Sequence, residues 1–71
     1  MRIQFDVAAQ EKGWSVRRNG KLMGAYDSQT VAIGAAENFA RASARHGDTA
    51  VVRVVDGGRI QEERNFASDI F

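Results

Sequence analysis

The sequence predicts an α+β domain: an antiparallel β-sheet, in the order β-β-β-α-β-β, with one helix packed on one face. Three observations predict it. Residues 2–8 and 14–18 alternate apolar and polar side chains, the period of a half-buried strand. Asn19-Gly20 and Asp56-Gly57-Gly58 are hairpin signals, because these residue types tolerate positive φ. Between the two groups of strands lies a long alanine-rich stretch with helical spacing.

In the first strand, over 2–8, Ile3, Phe5 and Val7 share one face and Arg2, Gln4 and Asp6 the other. Gln10-Glu11-Lys12-Gly13 is polar and ends in glycine, so it is read as a turn. The second strand, 14–18, turns Trp14 and Val16 inward and Ser15 and Arg17 outward. Asn19-Gly20 returns the chain into a third strand over 22–26. There Leu22, Gly24 and Tyr26 share a face, with Met23 and Ala25 on the other; alternation alone does not say which face is inside.

Ser28 is placed to cap a helix over 29–45, its hydroxyl accepting from an early N–H. Ala32, Ala36, Phe39, Ala40 and Ser43 form one stripe, so a helix of small residues with one large plug lies close on the sheet. Glu37 and Arg41 are four apart on the solvent side. Arg41, Arg45 and His46 suit the negative end of the helix dipole, and Gly47 ends the helix. The β-branched run 49–55 is a strand with Ala50, Val52 and Val54 toward the helix. The last strand, 59–66, follows Asp56-Gly57-Gly58, with Ile60 inward and Arg59, Gln61 and Glu63 outward. The end, 67–71, is either loose or buries Ile70 and Phe71 against the sheet or a second subunit.

Seventy-one residues make one small domain over 1–71. Its 20 large apolar side chains and 11 alanines supply one thin core. Without cysteine there are no disulfides and no thiolate metal sites, and a single histidine excludes a multi-histidine site within one chain. No apolar run approaches a membrane span. The N-terminus alternates like a strand instead of carrying a secretory apolar block, so the cytoplasm is the expected location. Ten Lys+Arg against nine Asp+Glu leave a net charge of +1. Function by electrostatics must therefore come from how charge is arranged, and eight of the ten cations are arginine.

Catalytic groups are sparse. His46 and Asp48 at the helix end are the one pair that invites a general-base reading, and a helix-terminal histidine is explained by the dipole alone. Glu62 and Glu63 are adjacent in a strand, point to opposite faces, and cannot chelate together. No enzyme activity, cofactor or metal is expected. The candidate binding surface is the open sheet face, with Arg2, Arg17, Val51, Arg53, Val55 and Arg59 as its contact residues. Val51 and Val55 flank Arg53 as a modest exposed apolar patch, the kind that marks a partner site. The expected partner is a protein or ribonucleoprotein. The alternative is direct nucleic-acid binding by the same arginines, although no aromatic residue falls clearly on that face for base stacking. A small core, an exposed strand edge and the Ile70/Phe71 end also favour a homodimer.

The strings G-W-S-V-R-R at 13–18, S-x-x-x-A-x-x-x-A at 28–36 and D-G-G-R-I-Q-E-E-R at 56–64 resemble a small bacterial family of unknown function. The resemblance covers 13–66 and implies a Trp-x-Val strand, a Ser/Thr-capped alanine helix and a terminal Asp-Gly-x-Ile hairpin. Two departures stand out: Val31 where the family carries an acidic capping-box residue, and the extra glycine of Gly57-Gly58. The family implies a fold and no activity. A looser architectural likeness, through Arg17-Arg18-Asn19-Gly20-Lys21 and Met23-Gly24, is to small phage anti-CRISPR inhibitors, which implies non-enzymatic covering of a ribonucleoprotein surface. HicB-type antitoxins share the Gly-aromatic-x-Val strand, but their usual proline-containing segment is missing here.

Overall fold

The computed structural model describes residues 2–66. Five strands and one helix follow in the expected order: β1 (Arg2–Gln10), β2 (Gly13–Arg18), β3 (Lys21–Tyr26), α1 (Gln29–Arg45), β4 (Thr49–Asp56) and β5 (Arg59–Phe66). They form one sheet in the lateral order β3-β2-β1-β4-β5. Three of the four pairings are antiparallel, and β1 pairs β4 in parallel. The sheet is therefore mixed, not the purely antiparallel one that the hairpins suggested. The cause is the connection. β3 runs in the same direction as β1, and α1 carries the chain back along the sheet, so β4 begins at the end where β1 begins. A crossover of more than a dozen residues is what parallel neighbours require, and the helix supplies it.

β1 lies at the centre, and its inward residues Ile3, Phe5 and Val7 are buried. Register continues them laterally into Val16 of β2 and into Ala50, Val52 and Val54 of β4. Against this floor α1 sets Ala32, Ala36 and Ala40, all buried. Phe39 is the plug, its ring stacked on Phe5 with centroids 6.0 Å apart. Trp14, Tyr26, Ile33 and Phe66 close the margins of the same core. The Ser28 hydroxyl caps the helix by accepting from the Val31 N–H at 3.2 Å. At the other end, the Gly47 N–H donates to Ala44 O and the Asp48 N–H to Ser43 O. That pair of bonds, with Gly47 at φ +86°, is a Schellman ending.

The Asn19-Gly20 turn has both residues at positive φ, as a two-residue hairpin demands. Asn19 also holds β1: its N–H donates to Gln4 O at 2.7 Å, and its Oδ1 accepts from the Gln4 N–H at 2.9 Å. The side chain stands in for a strand residue and carries the β1–β2 ladder one step further.

Two irregularities change which side chains share a face. In β3 the pairing passes from Val16↔Gly24 to Arg17↔Leu22, so Met23 is an extra residue. Gly24 and Tyr26 stay on the helix side, and Leu22 moves to the open face, away from the set that simple alternation gave it. In β5 the pairing passes from Val54↔Glu62 to Val55↔Ile60, so Gln61 is the extra residue. Ile60 therefore sits on the open face and is 54% exposed, not inward. A bulge inserts one residue on one strand and reverses the alternation beyond it. The end of the chain, 67–71, with the Ile70/Phe71 expectation, lies outside the described residues.

Two substitutions test this packing. At Gly13, φ is +126° and an added Cβ would lie 2.3 Å from the Tyr26 carbonyl oxygen. Gly13→Ala should cost about 1–3 kcal/mol in chemical denaturation from backbone strain alone, with the contact adding to it. Ala36→Leu forces a large side chain into the buried helix–sheet seam and should cost roughly 1–3 kcal/mol; a neutral result would mean that the helix sits off the sheet.

Candidate functional site: the open face of the sheet

Registers across all five strands define rows of side chains on the face turned away from α1. One row reads Leu22, Arg17, Asp6, Arg53, Glu63 from β3 to β5. Its neighbour reads Ala25, Ser15, Ala8, Val55, Ile60. A shorter third row holds Gln4, Val51 and Asn65. The first row alternates cation and carboxylate across four strands. The second is small on one side and branched aliphatic on the other.

The charged row is internally tied. Arg53 Nε donates to Glu63 Oε2 at 3.0 Å. Asp6 lies in register between Arg17 and Arg53, and its two carboxylate oxygens accept from Gln4 Nε2 at 3.1 and 3.2 Å. Arg17 reaches Gly20 O at 3.4 Å. Each of these bonds is exposed or only part-buried, and such pairs contribute little to stability. They order the side chains and cancel the local charge. In the apolar row Ser15 is only 3% exposed and its hydroxyl turns back to Ala8 O at 3.4 Å.

Of the six residues singled out in the sequence, Arg17, Arg53 and Val55 come together here. Arg2 lies at the start of β1 in register with Thr49, two residues before Gln4. Val51 is on this face but 1% exposed, between Gln4 and Asn65, so it is not the exposed half of a valine patch. Arg59 is not on this face at all. It pairs Asp56 beyond the β5 bulge, on the helix side. Asp56 there accepts from Gln61 Nε2, and Gln61 Oε1 accepts from Gln29 Nε2 of the helix. Alternation without a bulge put Arg59 and Gln61 outward. The sequence left the face of Leu22 undecided and put Ile60 inward; the structure sets both on the open face, because only the pairing shows where a bulge falls.

The helix side of β5 carries a separate charged clasp. Arg64 donates to Glu62 Oε1 at 2.5 Å and to Glu37 Oε2 of α1 at 2.6 Å. Hydrogen bonds to Glu62, and secondarily to Glu37, push the guanidinium above its ordinary pKa. Arg41 lies over the Phe66 ring, 5.8 Å from its centroid. Glu37 and Arg41, expected to pair with each other along the helix, thus each reach β5 instead. Cross-element partners win because the helix lies close enough to the sheet for long side chains to span.

At the C-terminal end of α1 a shallow groove of about 290 Å³ is floored by Phe5, Phe39 and Met23 and rimmed by Arg18, His46 and Asp48. His46 is the helix C-cap and is exposed. Among the described residues no cluster of three His, Cys, Asp or Glu side chains could hold a metal, and no helix is long and apolar enough to cross a membrane.

Residues 6–66 match a family described as an uncharacterized protein conserved in bacteria, DUF2188. The chain belongs to this family. The match takes in the charged and apolar rows, α1 and both bulged strands, and begins two residues after Gln4 of the third row. No curated protein and no solved structure matches the chain.

The face assignment has a direct check. A core isoleucine cut back to a small residue costs about 2–5 kcal/mol, whereas an exposed one changes stability by about 0.5 kcal/mol or less. Ile60→Ser should fall in the second range in urea titration; a core-sized loss would put Ile60 back under the helix.

Proposed function

We propose that this chain is a non-enzymatic binding module whose open sheet face docks on a protein surface, either a free protein or the protein part of a ribonucleoprotein. One observation carries the reading: Arg17, Asp6, Arg53 and Glu63 alternate in sign beside the apolar row ending in Val55 and Ile60. A surface that grips a phosphate backbone concentrates positive charge, since its affinity comes from displacing counterions. Here each arginine of the row has a carboxylate in the adjoining strand, so the row is neutral. Alternating charge instead suits a partner that itself carries both signs, where complementarity sets orientation and excludes wrong partners. The adjoining apolar row supplies the contact that is desolvated.

Direct nucleic-acid binding is the weaker reading. Phe5, Trp14, Tyr26, Phe39 and Phe66 all pack into the helix-side core, so among the described residues the open face offers bases nothing to stack on. The likeness to surface-covering inhibitors is one of architecture and names no target. The cytoplasm is the setting that fits the chain's sequence.

The test is capture from native-host lysate treated with nuclease, comparing wild type with the doubly reversed Arg17→Glu/Arg53→Glu variant after its fold is confirmed by amide NMR. Protein retained by wild type and lost by the variant is the expected result. Retention by both would remove the open face from the function, and loss of all retention on nuclease treatment would replace the protein partner with nucleic acid.

A further inference from the structure

The geometry points to a second copy of this chain as an occupant of the open face, docked face to face about a two-fold axis that runs parallel to the strands between β1 and β4. The inference rests on the reading of that face as a protein-docking surface and names its partner. Its basis is the order of charge across the sheet: Arg17 on β2, Asp6 on β1, Arg53 on β4 and Glu63 on β5. A two-fold axis at the middle of that row reverses the order in the facing copy. Arg17 then opposes the partner's Glu63, and Asp6 opposes the partner's Arg53. All four contacts join opposite charges.

The apolar row obeys the same operation. Ser15 comes to face the partner's Ile60, and Ala8 the partner's Val55. Small side chains meet large ones, which is how the inner faces of two packed sheets interdigitate. Other axes fail. An axis along the row sets each residue against its own copy. An axis centred on β1 sets Asp6 against the partner's Asp6 and Arg17 against the partner's Arg53.

The dimensions permit it. Aligned sheets cross at about 30°, and strands lie about 4.8 Å apart. The Asp6 and Arg53 positions are therefore only ~2.4 Å from the axis and shift by roughly 1 Å on crossing. Arg17 and Glu63 shift by roughly 4 Å, within reach of a long arginine side chain. About this axis four strands of each copy overlap, β3 having no strand opposite it, so six residues on each give a contact of about 19 × 20 Å and roughly 760 Å² buried in all, the size of a weak, reversible interface. The Arg53–Glu63 bond at 3.0 Å remains and becomes the link between the two intermolecular contacts.

Sedimentation equilibrium of the full chain up to about 1 mM protein tests this. Wild type should dimerise. Arg17→Glu/Arg53→Glu makes the row wholly negative, and Asp6→Arg/Glu63→Arg makes it wholly positive, so each variant alone should dimerise at least roughly tenfold more weakly. An equimolar mixture of the two should restore a dimer, because opposite rows then face each other. A monomeric wild type, a variant that dimerises as wild type does, or a mixture of folded variants that stays monomeric would each overturn the proposal. Should a variant not fold, amide shifts of wild type on dilution decide instead. Changes centred on Asp6, Arg17, Arg53 and Val55 support the two-fold, and changes confined to the helix side or to the β3 and β5 edges overturn it. A monomeric wild type that still captures a lysate protein through the arginine face would overturn the self-pairing and leave the docking face standing.

Discussion

Everything in this domain hangs on how closely α1 can approach β1. Ala32, Ala36 and Ala40 present only methyl groups to the sheet, so the volume between the layers is filled from below by Ile3, Phe5, Val7, Val16, Val52 and Val54. Burial of those side chains is the main favourable term available to a chain of this size, at about 25 cal/mol per Å² of apolar surface. A helix so seated acts as a strap. It leaves β3 at one edge, crosses β2 and β1, and delivers the chain to β4 on the far side of β1. The parallel β1–β4 pairing, the central position of β1 and the placement of β5 at the opposite edge all follow from that crossing.

The same closeness makes the clasp on β5. Glu37 reaches Arg64, and Arg41 reaches Phe66, so an edge strand whose residues are mostly exposed is tied to the helix by side chains. These contacts draw Arg64 to the helix side and leave Arg53 and Glu63 to pair on the other. The two faces thus divide the charge between them: one face uses it to hold β5, and the other presents it in alternating order.

The two bulges give the open face its character. Without them Leu22 and Ile60 would point toward the helix, and Met23 and Gln61 would take their places on the outer face. With them, each outer end of the sheet contributes one aliphatic residue to a face whose centre is charged. A bulge costs a ladder bond and is retained where it redirects a side chain. Here the β5 bulge adds Ile60 to an apolar row beside a neutral charged row, and the β3 bulge adds Leu22 to the end of the charged row.

The fold class was legible in the sequence wherever the decisive interactions are local. Ser28 and Gly47 bound the helix at the expected residues, because capping groups bond within a few positions of themselves. Asn19-Gly20 specified its hairpin through backbone geometry, and Ala50, Val52 and Val54 declared their face by alternation against the helix. The alternation of Arg17 and Asp6 likewise gave half of the candidate site. Sequence by itself therefore determined the elements, their order, the helix stripe and the membership of β1, β2 and β4 in the open face. Only the tertiary structure decided that β4 lies parallel to β1, that Met23 and Gln61 are the extra residues, that Arg59 leaves the open face while Leu22 and Ile60 join it, and that Val51 is covered. Those outcomes depend on which strand pairs with which and in what register. Pairing is settled by packing between residues far apart in the chain, and a single inserted residue reverses every side chain beyond it.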